Sequence, residues 1–159
     1  MLITIAAIGK LKAGPERELF ARFVERAGDA GRKMGLSFAV REFPESRAAS
    51  PAARKDQEAA VLVGSLAPAA ILIALDEGGK TLGSRAFAER IGGWRDTGTG
   101  HLTLAIGGAD GHGAAVLQKA TLILAFGPMT WPHQLVRVML AEQLYRAVTI
   151  LSGHPYHRD

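Results

Sequence analysis

The chain has 159 residues, of which 48% are apolar and 21% charged, a size and composition typical of one globular domain with its own core. Its 19 Lys and Arg residues against 15 Asp and Glu residues give a net charge of +4, which permits a phosphate-rich partner without requiring one. The absence of cysteine excludes disulfide scaffolds, thiolate zinc sites and cysteine nucleophiles. No apolar run approaches the roughly 20 residues of a membrane-spanning helix, so we expect a cytoplasmic protein without membrane association.

The first half of the chain alternates patterns typical of strands with patterns typical of helices. The N-terminal strand pattern is rich in β-branched residues and ends at Gly9, and the following helix opens with Pro15 and the acidic Glu16. The pair Ser50-Pro51 predicts the N-cap and the first position of a second helix. The predicted elements of this half are a strand at Leu2–Ile8, a helix from residue 15, a half-exposed strand at 36–43 and a helix at 51–65.

The second half contains three continuous apolar runs, each typical of a strand buried on both faces of a sheet. We expect Ser84 to cap the helix between the first two runs, and Pro132 to open the longest helical pattern. The predicted elements are strands at 69–76, 102–106 and 121–126, and helices at 84–92, 113–120 and 132–151. Strands alternating with helices predict an α/β fold with a mostly parallel sheet, in a single domain that spans residues 1–159.

Glycines follow the three buried strands closely, at Gly78, Gly107 and Gly127. Because ligands of parallel sheets bind beyond the carboxyl ends of the strands, we expect the functional site at these glycines. Two nucleotide-binding motifs are excluded by single positions. A P-loop would need a glycine where the chain has Ala74, and the dinucleotide fingerprint would need a small residue at Val116.

Three features make the C-terminal third the candidate site. The loop 126–131 joins a buried strand to the long helix and could enclose an apolar ligand. His133 and Arg137 lie four residues apart on that helix, so they share a face near the loop. The tail 154–159 combines imidazole, phenol and guanidinium groups, and its proline and tyrosine predict that it is anchored. Its two histidines have no third candidate ligand nearby, so we predict no metal site.

Five segments of the chain form a recognisable combination. They are Ala-x-Gly-Lys-Leu-Lys at 7–12, Ile-Gly-Gly at 106–108, PHxLxR at 132–137, EQxYRA at 142–147 and HPYHR at 154–158. None of them is specific alone. Together and in this order, they resemble the RlmH family of small SPOUT-class methyltransferases, which act on 23S ribosomal RNA. The resemblance covers nearly the whole chain and is strongest over its C-terminal third.

The resemblance implies a SPOUT α/β fold whose C-terminal part is threaded into a deep trefoil knot. It also implies a homodimer, with S-adenosylmethionine bound in the knotted loops near the subunit interface. The residues that the motifs place against this cofactor are Leu75, Gly107, Gly108, Phe126, Gly127, Pro128, Met129, Thr130 and Trp131. The implied reaction is methylation of N3 of a pseudouridine in helix 69 of 23S rRNA, with the assembled ribosome as substrate.

In-line methyl transfer requires alignment and a general base for the weakly acidic N3 proton, but no metal. His133 and His157 have suitable intrinsic pKa values, and the sequence does not assign the base between them. Tyr156 could stack on or orient the target nucleobase, and guanidinium groups could hold phosphate or carbonyl oxygens. The candidate catalytic residues are His157, Tyr156, Arg158 and His133, and the candidate RNA contacts are Arg137 and His154.

Two other functions agree with the same residues. The chain could be a ribosome- or RNA-binding protein without catalytic activity, for which a basic charge alone would suffice. It could also be a SPOUT methyltransferase that acts on tRNA. Because the cofactor site leaves little chain for a separate RNA-binding module, we expect isolated RNA to be a poor substrate.

Overall fold

A computed structural model describes residues 1–157 of the chain, and within them it confirms the α/β fold. The strands are β1 (Leu2–Ile8), β2 (Ser37–Phe43), β3 (Ile71–Thr81), β4 (His101–Ile106) and β5 (Leu122–Ala125). The helices are α1 (Pro15–Gly31), α2 (Pro51–Gly64), α3 (Ser84–Asp96), α4 (Ala114–Lys119) and α5 (His133–Leu151), with a 3-10 turn at Arg32–Met34. The strands form one sheet in the order β2-β1-β4-β3-β5, and all neighbouring strands are parallel.

The strands β4 and β3 lie inside the sheet and are buried on both faces, as their continuous apolar runs predict, and β1 is buried beside them. The third such run, β5, lies at an edge of the sheet. One row across the sheet pairs Ile5 of β1 with Leu104 of β4 and Leu104 with Ile73 of β3. These three side chains are at most 2% exposed. β2 lies at the edge of the sheet and is half-exposed, in agreement with its alternating sequence.

Helices cover both faces of the sheet and complete two apolar layers. On one face α1 and α3 pack against α5, where Phe20, Phe87 and Leu140 join the same buried cluster. On the other face α2 packs against α4, and Leu62 and Val116 lie in a second cluster. Parallel pairing leaves the carboxyl ends of all five strands at one edge of this layered core, which is where the loops of the candidate site begin.

β3 differs from its predicted bounds at both ends. It begins at Ile71 because Ala69 has a φ of 55°, a turn conformation that interrupts the apolar run. It continues past Asp76 to Thr81, because a shift in register between Leu75 and Lys80 lets the strand pair with β5 a second time. The glycine at 79 permits this approach, since a Cβ there would lie 2.7 Å from the backbone of β5.

The predicted cap and end of α3 are both wrong. Gly83 is the N-cap, and Ser84 is the first helical residue, whose hydroxyl donates a hydrogen bond to Oε1 of Gln143 on α5 at 2.7 Å. The helix also continues beyond Gly92 to Asp96. Gly92 lies inside the helix, where a Cβ would lie 2.8 Å from the terminal Cδ2 of Leu151. A glycine that resembles a helix end therefore packs closely against the end of α5.

Candidate active site

The carboxyl ends of β3, β4 and β5 open onto a cavity of about 750 Å³. Eight of the nine predicted cofactor contacts line it, and Pro128 does not. The eight lining residues are Leu75, Gly107, Gly108, Phe126, Gly127, Met129, Thr130 and Trp131. The cavity also reaches His133 at the start of α5. The parallel sheet therefore brings together predicted site residues that are up to 58 positions apart in the sequence, from Leu75 to His133.

The loop between β4 and α4 forms one wall and depends on glycine at two positions. A Cβ on Gly107 would lie 2.9 Å from the backbone of Gly111, and one on Gly108 would lie 2.5 Å from Oε2 of Glu58. Arg54 of α2 holds the tip of the loop through two bonds to Asp110, of 2.7 and 3.2 Å. Hydrogen bonding to Arg54 keeps the pKa of the Asp110 carboxyl below its usual value. The wall is thus a close-packed backbone surface anchored to α2.

The loop 126–131 forms the opposite wall. Gly127 has a φ of 106°, which a side chain would disfavour. The indole Nε1 of Trp131 donates to the carbonyl oxygen of Phe126 at 3.3 Å, and the hydroxyl of Thr130 donates to Glu77 at 3.2 Å. These bonds fold the loop on itself and tie it to the extension of β3. Met129, at its tip, remains 68% exposed.

His133 joins the two walls. Its Nε2 lies 2.5 Å from the carbonyl oxygen of Gly107, and because a carbonyl only accepts, Nε2 carries the hydrogen. Burial lowers the pKa of His133, against the opposing effect of the Gly107 carbonyl. The imidazole is therefore neutral near pH 7, and its Nδ1 carries a lone pair that can accept a proton.

Arg137 lies one turn later but does not face solvent, so its prediction as an RNA contact is corrected. It is 2% exposed, and its guanidinium donates to Glu42 at 2.6 Å and to the carbonyl oxygens of Ile8 and Gly9 at 2.7 and 2.8 Å. These partners occupy both terminal nitrogens and fasten α5 to the ends of β1 and β2. Arg137 is a buried structural residue that holds the cavity end of α5 in place.

The C-terminal tail packs against the second half of α5, and the prediction that it is anchored is confirmed up to residue 157. The Tyr156 hydroxyl donates to Oε1 of Glu142 at 3.1 Å, and its ring lies 4.6 Å from that of Tyr145. The guanidinium of Arg146 lies 4.9 Å above the Tyr156 ring and 3.3 Å from Nδ1 of His157. Arg158 lies outside the described residues.

None of the described tail residues, 154–157, lines the cavity of the same chain. Glu142 and Arg146 follow His133 by 9 and 13 residues on one continuous helix. These spacings correspond to about 14 and 20 Å along the helix axis. Burial and the hydrogen bond to Glu142 raise the pKa of Tyr156, so its phenol stays protonated near neutral pH. His154 is exposed, as a contact to RNA requires.

Among the cavity-lining residues that were not predicted as site residues are Lys55, Asp76, Glu77 and His112. The two carboxylates could have been found, because Asp76 ends a predicted strand and Glu77 follows it, at the edge of the sheet where ligands bind. Glu142 and Arg146 are four residues apart on one helix, a spacing from which their salt bridge could also have been predicted. The two side chains are 2.5 Å apart. Nothing in the sequence indicates that His112 is buried, because its position depends on how its loop folds back over Gly107.

Among residues 1–157, no group of three or more His, Asp or Glu side chains is arranged to hold a metal ion. In the same part of the chain, no helix combines the length and apolar character needed to cross a membrane.

The family model and the curated relatives that this chain matches are all methyltransferases, and each match covers nearly the whole chain. The model of a family described as predicted SPOUT methyltransferases matches residues 1–157. The chain is 56% identical over 159 residues to a protein of Rhizobium etli and 54% identical over 159 residues to one of Bradyrhizobium diazoefficiens, covering 99% of each chain. It is 55% identical over 160 residues to a protein of Methylocella silvestris, with both chains fully covered. All three relatives are named ribosomal RNA large subunit methyltransferase H.

The SpoU methyltransferase AviRb of Streptomyces viridochromogenes, in complex with AdoMet, aligns with 96% of this chain and 61% of its own. Its sequence identity is 13% and its TM-score is 0.42, a value too low to assign a shared fold.

Proposed function

This chain belongs to the SPOUT methyltransferase family, and we propose that it methylates the RNA of the large ribosomal subunit with S-adenosylmethionine as methyl donor. The observation that carries the proposal is full-length identity of 54–56% to relatives named for that activity. The cavity at the carboxyl edge of the sheet supports it, because eight residues expected at the cofactor line one space. We propose a cytoplasmic location, because the proposed substrate is ribosomal RNA.

The residues of the cavity fit S-adenosylmethionine. The ends of Leu75, Ile106 and Leu124 present apolar surface for a flat purine, and Asp76 and Glu77 present carboxylates for an ammonium or ribose hydroxyls. Glycine at 107 and 108 leaves room for close contact with the backbone. The cofactor supplies a methyl group made electrophilic by its sulfonium sulfur. The loop 126–131 would then exclude water from that group.

We propose N3 of a pseudouridine in helix 69 of 23S rRNA as the acceptor, which the resemblance to the RlmH family implies. That nitrogen must lose a proton, and the neutral imidazole of His133 borders the cavity with Nδ1 free to accept one. His157 remains the other candidate base. Tyr156 is suited to stack on the target nucleobase or donate a hydrogen bond to it, because its raised pKa keeps the phenol protonated.

We further propose that the active enzyme is a homodimer. The tail packs on Glu142 and Arg146, which lie about 14 and 20 Å from His133 along the axis of α5. This spacing favours a second copy of the chain as the source of the tail at a bound cofactor. Two chains of +4 carry a combined charge of +8, which attracts RNA only moderately. Recognition then depends on the shape of the assembled ribosome, and isolated RNA should be a poor substrate.

We also propose that the C-terminal third is threaded as a deep trefoil knot, the arrangement implied by the resemblance. The position of β5 supports this, because it adds beside β3 although β4 lies between the two in the sequence. The second pairing of β3 with β5, at Lys80 and Thr81, supports a close crossing of the two segments.

A transfer assay tests the proposed function. The protein is incubated with S-adenosylmethionine labelled at the methyl group and with intact ribosomes, separate subunits, free 23S rRNA or tRNA. We expect label in 23S rRNA of intact ribosomes and little in the isolated RNAs. Label in tRNA alone would assign the chain to tRNA modification. A folded protein that binds ribosomes but gives no calorimetric signal with S-adenosylmethionine would be a binding protein instead.

A further inference from the structure

His112 is a buried histidine whose side chain has no hydrogen-bond partner among the described residues. It is 5% exposed, and both ring nitrogens are shielded from solvent. The carbonyls of Leu75 and Ala105 lie close enough to favour its charged form, but neither forms a hydrogen bond by geometry. A buried polar group without a partner costs about 1–3 kcal/mol. Such a group calls for a partner that the protein itself does not provide.

The cost is not explained by a need to hold the loop between β4 and α4. Arg54 already anchors that loop through Asp110, and a backbone pairing between Gly108 and Gly111 closes its turn. Gly113 then packs directly on α2, where a Cβ would lie 2.5 Å from the carbonyl oxygen of Lys55. Since the loop is fixed on both sides of His112, a leucine could fill the same space without the unpaired nitrogens.

His112 is one of the residues that line the cavity. Because both ring nitrogens are shielded in this structure, the imidazole has to turn toward a bound molecule, which then supplies the missing partner. On the basis of the proposed function, we propose that His112 binds the cofactor, through a hydrogen bond between its imidazole and the adenine ring of S-adenosylmethionine. The inference concerns this chain's own histidine and adds a polar contact to those that the family motifs imply.

The surroundings of His112 favour adenine over the other parts of the cofactor. Leu75, Ile106, Leu117 and Leu124 line the same cavity with apolar side chains, which suits a flat purine. The carboxylates of Asp76 and Glu77 are more exposed than His112, and they suit the ribose hydroxyls or the ammonium. The methionine end thereby occupies the more open side of the cavity, and the base its buried side.

The protonation state of His112 agrees with this assignment. Burial lowers its pKa, and the nearby Asp76 carboxylate opposes that effect only in part. A neutral imidazole carries one donor and one acceptor, and the edges of adenine carry both kinds of group. A neutral ring also avoids placing a buried cation beside His133 and the positively charged sulfonium of the cofactor.

The test compares His112→Leu with the wild-type full-length protein. Calorimetry measures binding of S-adenosylhomocysteine, and thermal unfolding measures stability without ligand. We expect the variant to bind about tenfold more weakly, the loss of one hydrogen bond, while its melting temperature stays the same or rises. A purely structural histidine would instead lower the melting temperature. His101→Leu, at the opposite end of β4, is the matched control and should change neither quantity.

Analogues identify the contacted part of the ligand. The 3-deaza and 7-deaza forms of S-adenosylhomocysteine and S-inosylhomocysteine each change one edge of the base. We expect one of them to bind the wild type more weakly than S-adenosylhomocysteine, with this difference abolished in His112→Leu. Equal losses for all four ligands in the variant would contradict a contact to adenine.

The outcomes separate this inference from the proposed function. If the wild type binds S-adenosylhomocysteine and His112→Leu binds it equally well, the assignment of His112 is wrong while the proposed function stands. If the folded wild type binds neither S-adenosylhomocysteine nor S-adenosylmethionine, both are overturned. Should the variant fail to fold, ring nitrogen resonances of ¹⁵N-histidine in the wild type give the answer. A His112 signal that does not move on addition of S-adenosylhomocysteine would refute the contact.

Discussion

The two ends of α5 carry two differently built parts of the candidate site. At its start, the cavity is formed by backbone and glycines from three strand ends, and His133 bonds to one of those backbones. At its other end, the tail cluster consists of side chains from one helix and the segment that follows it. The first part is shaped to receive a ligand, whereas the second satisfies its polar groups internally.

This difference indicates a division of labour. Glu142 accepts from both Arg146 and Tyr156, so the tail is held in place before any substrate arrives. Its groups can act on RNA only by exchanging these internal bonds for bonds to substrate. The cavity needs no such exchange. We therefore expect cofactor binding to depend on the first part and methyl transfer on both.

Deletion of residues 154–159 should have the largest effect on activity. We expect transfer to ribosomes to fall by about a thousandfold, because the deletion removes a candidate base and the candidate nucleobase contacts. The affinity for S-adenosylmethionine should stay within about twofold, because none of the deleted residues described by the structure lines the cavity. Single-turnover transfer and calorimetry measure the two quantities. A deletion that keeps normal turnover would exclude the tail from the mechanism.

Arg137→Met should have the largest effect on stability. It removes three hydrogen bonds from a residue that is 2% exposed and leaves the partly buried Glu42 without its arginine partner. We expect the free energy of unfolding to fall by about 3 kcal/mol, as measured by urea denaturation. Arg22→Met, on the exposed side of α1, is the control and should change it little. Normal stability combined with weaker ribosome binding would instead restore Arg137 as an RNA contact.

The sequence predicts features that depend on local patterns better than features that depend on contacts between distant segments. Apolar runs and Pro-initiated helices predicted every strand and α-helix, because burial and capping act locally. The parallel edge then predicted the place of the site. The longer β3 was missed because its last residues pair with β5 only after a change of register at Leu75. Likewise, Ser84 has the pattern of an N-cap, but its hydroxyl donates a hydrogen bond to Gln143 on the distant helix α5.

Polarity of a side chain also does not predict its surroundings. Arg137 lies in a pattern that would suit a solvated basic face, and only the fold shows that strand-end carbonyls surround it. His112 lies in a glycine-rich loop whose sequence suggests exposure, yet the loop folds back and buries it. In both cases the partners, or their absence, come from segments distant in the sequence.

The pH dependence of stability tests the cavity end. Burial lowers the pKa of His133 in the folded protein below that of the unfolded chain. Below the unfolded value the unfolded state therefore binds more protons, and stability falls as pH decreases towards the folded pKa. One such group contributes a slope of at most about 1.4 kcal/mol per pH unit. Urea unfolding between pH 7 and 5 should show that the unfolding free energy depends less steeply on pH in His133→Gln than in the wild type. The pH dependence that remains in the variant is partly due to His112, whose pKa is also lowered by burial.

The corresponding pH profile of transfer distinguishes the two candidate bases. If His133 takes the proton, single-turnover rates should decline only at pH values below the ordinary range for histidine, following its lowered pKa. His133→Gln should then lower the rate by about a hundredfold or more. A full rate in that variant, together with a large loss in His157→Gln, would place the base in the tail.

The smallest expected effect comes from the anchor of the cavity wall. Arg54→Met removes the pair with Asp110, whose side chains are 29% and 26% exposed, so water and salt already weaken it. We expect cofactor affinity to fall by less than about fivefold, with a smaller loss at high salt because the wild-type pair is screened there. The transfer rate at saturating cofactor should be unchanged, since the tail cluster makes no contact with this pair. If that rate fell while affinity held, the loop would act on the chemical step itself, and the proposed division between the two ends of α5 would fail.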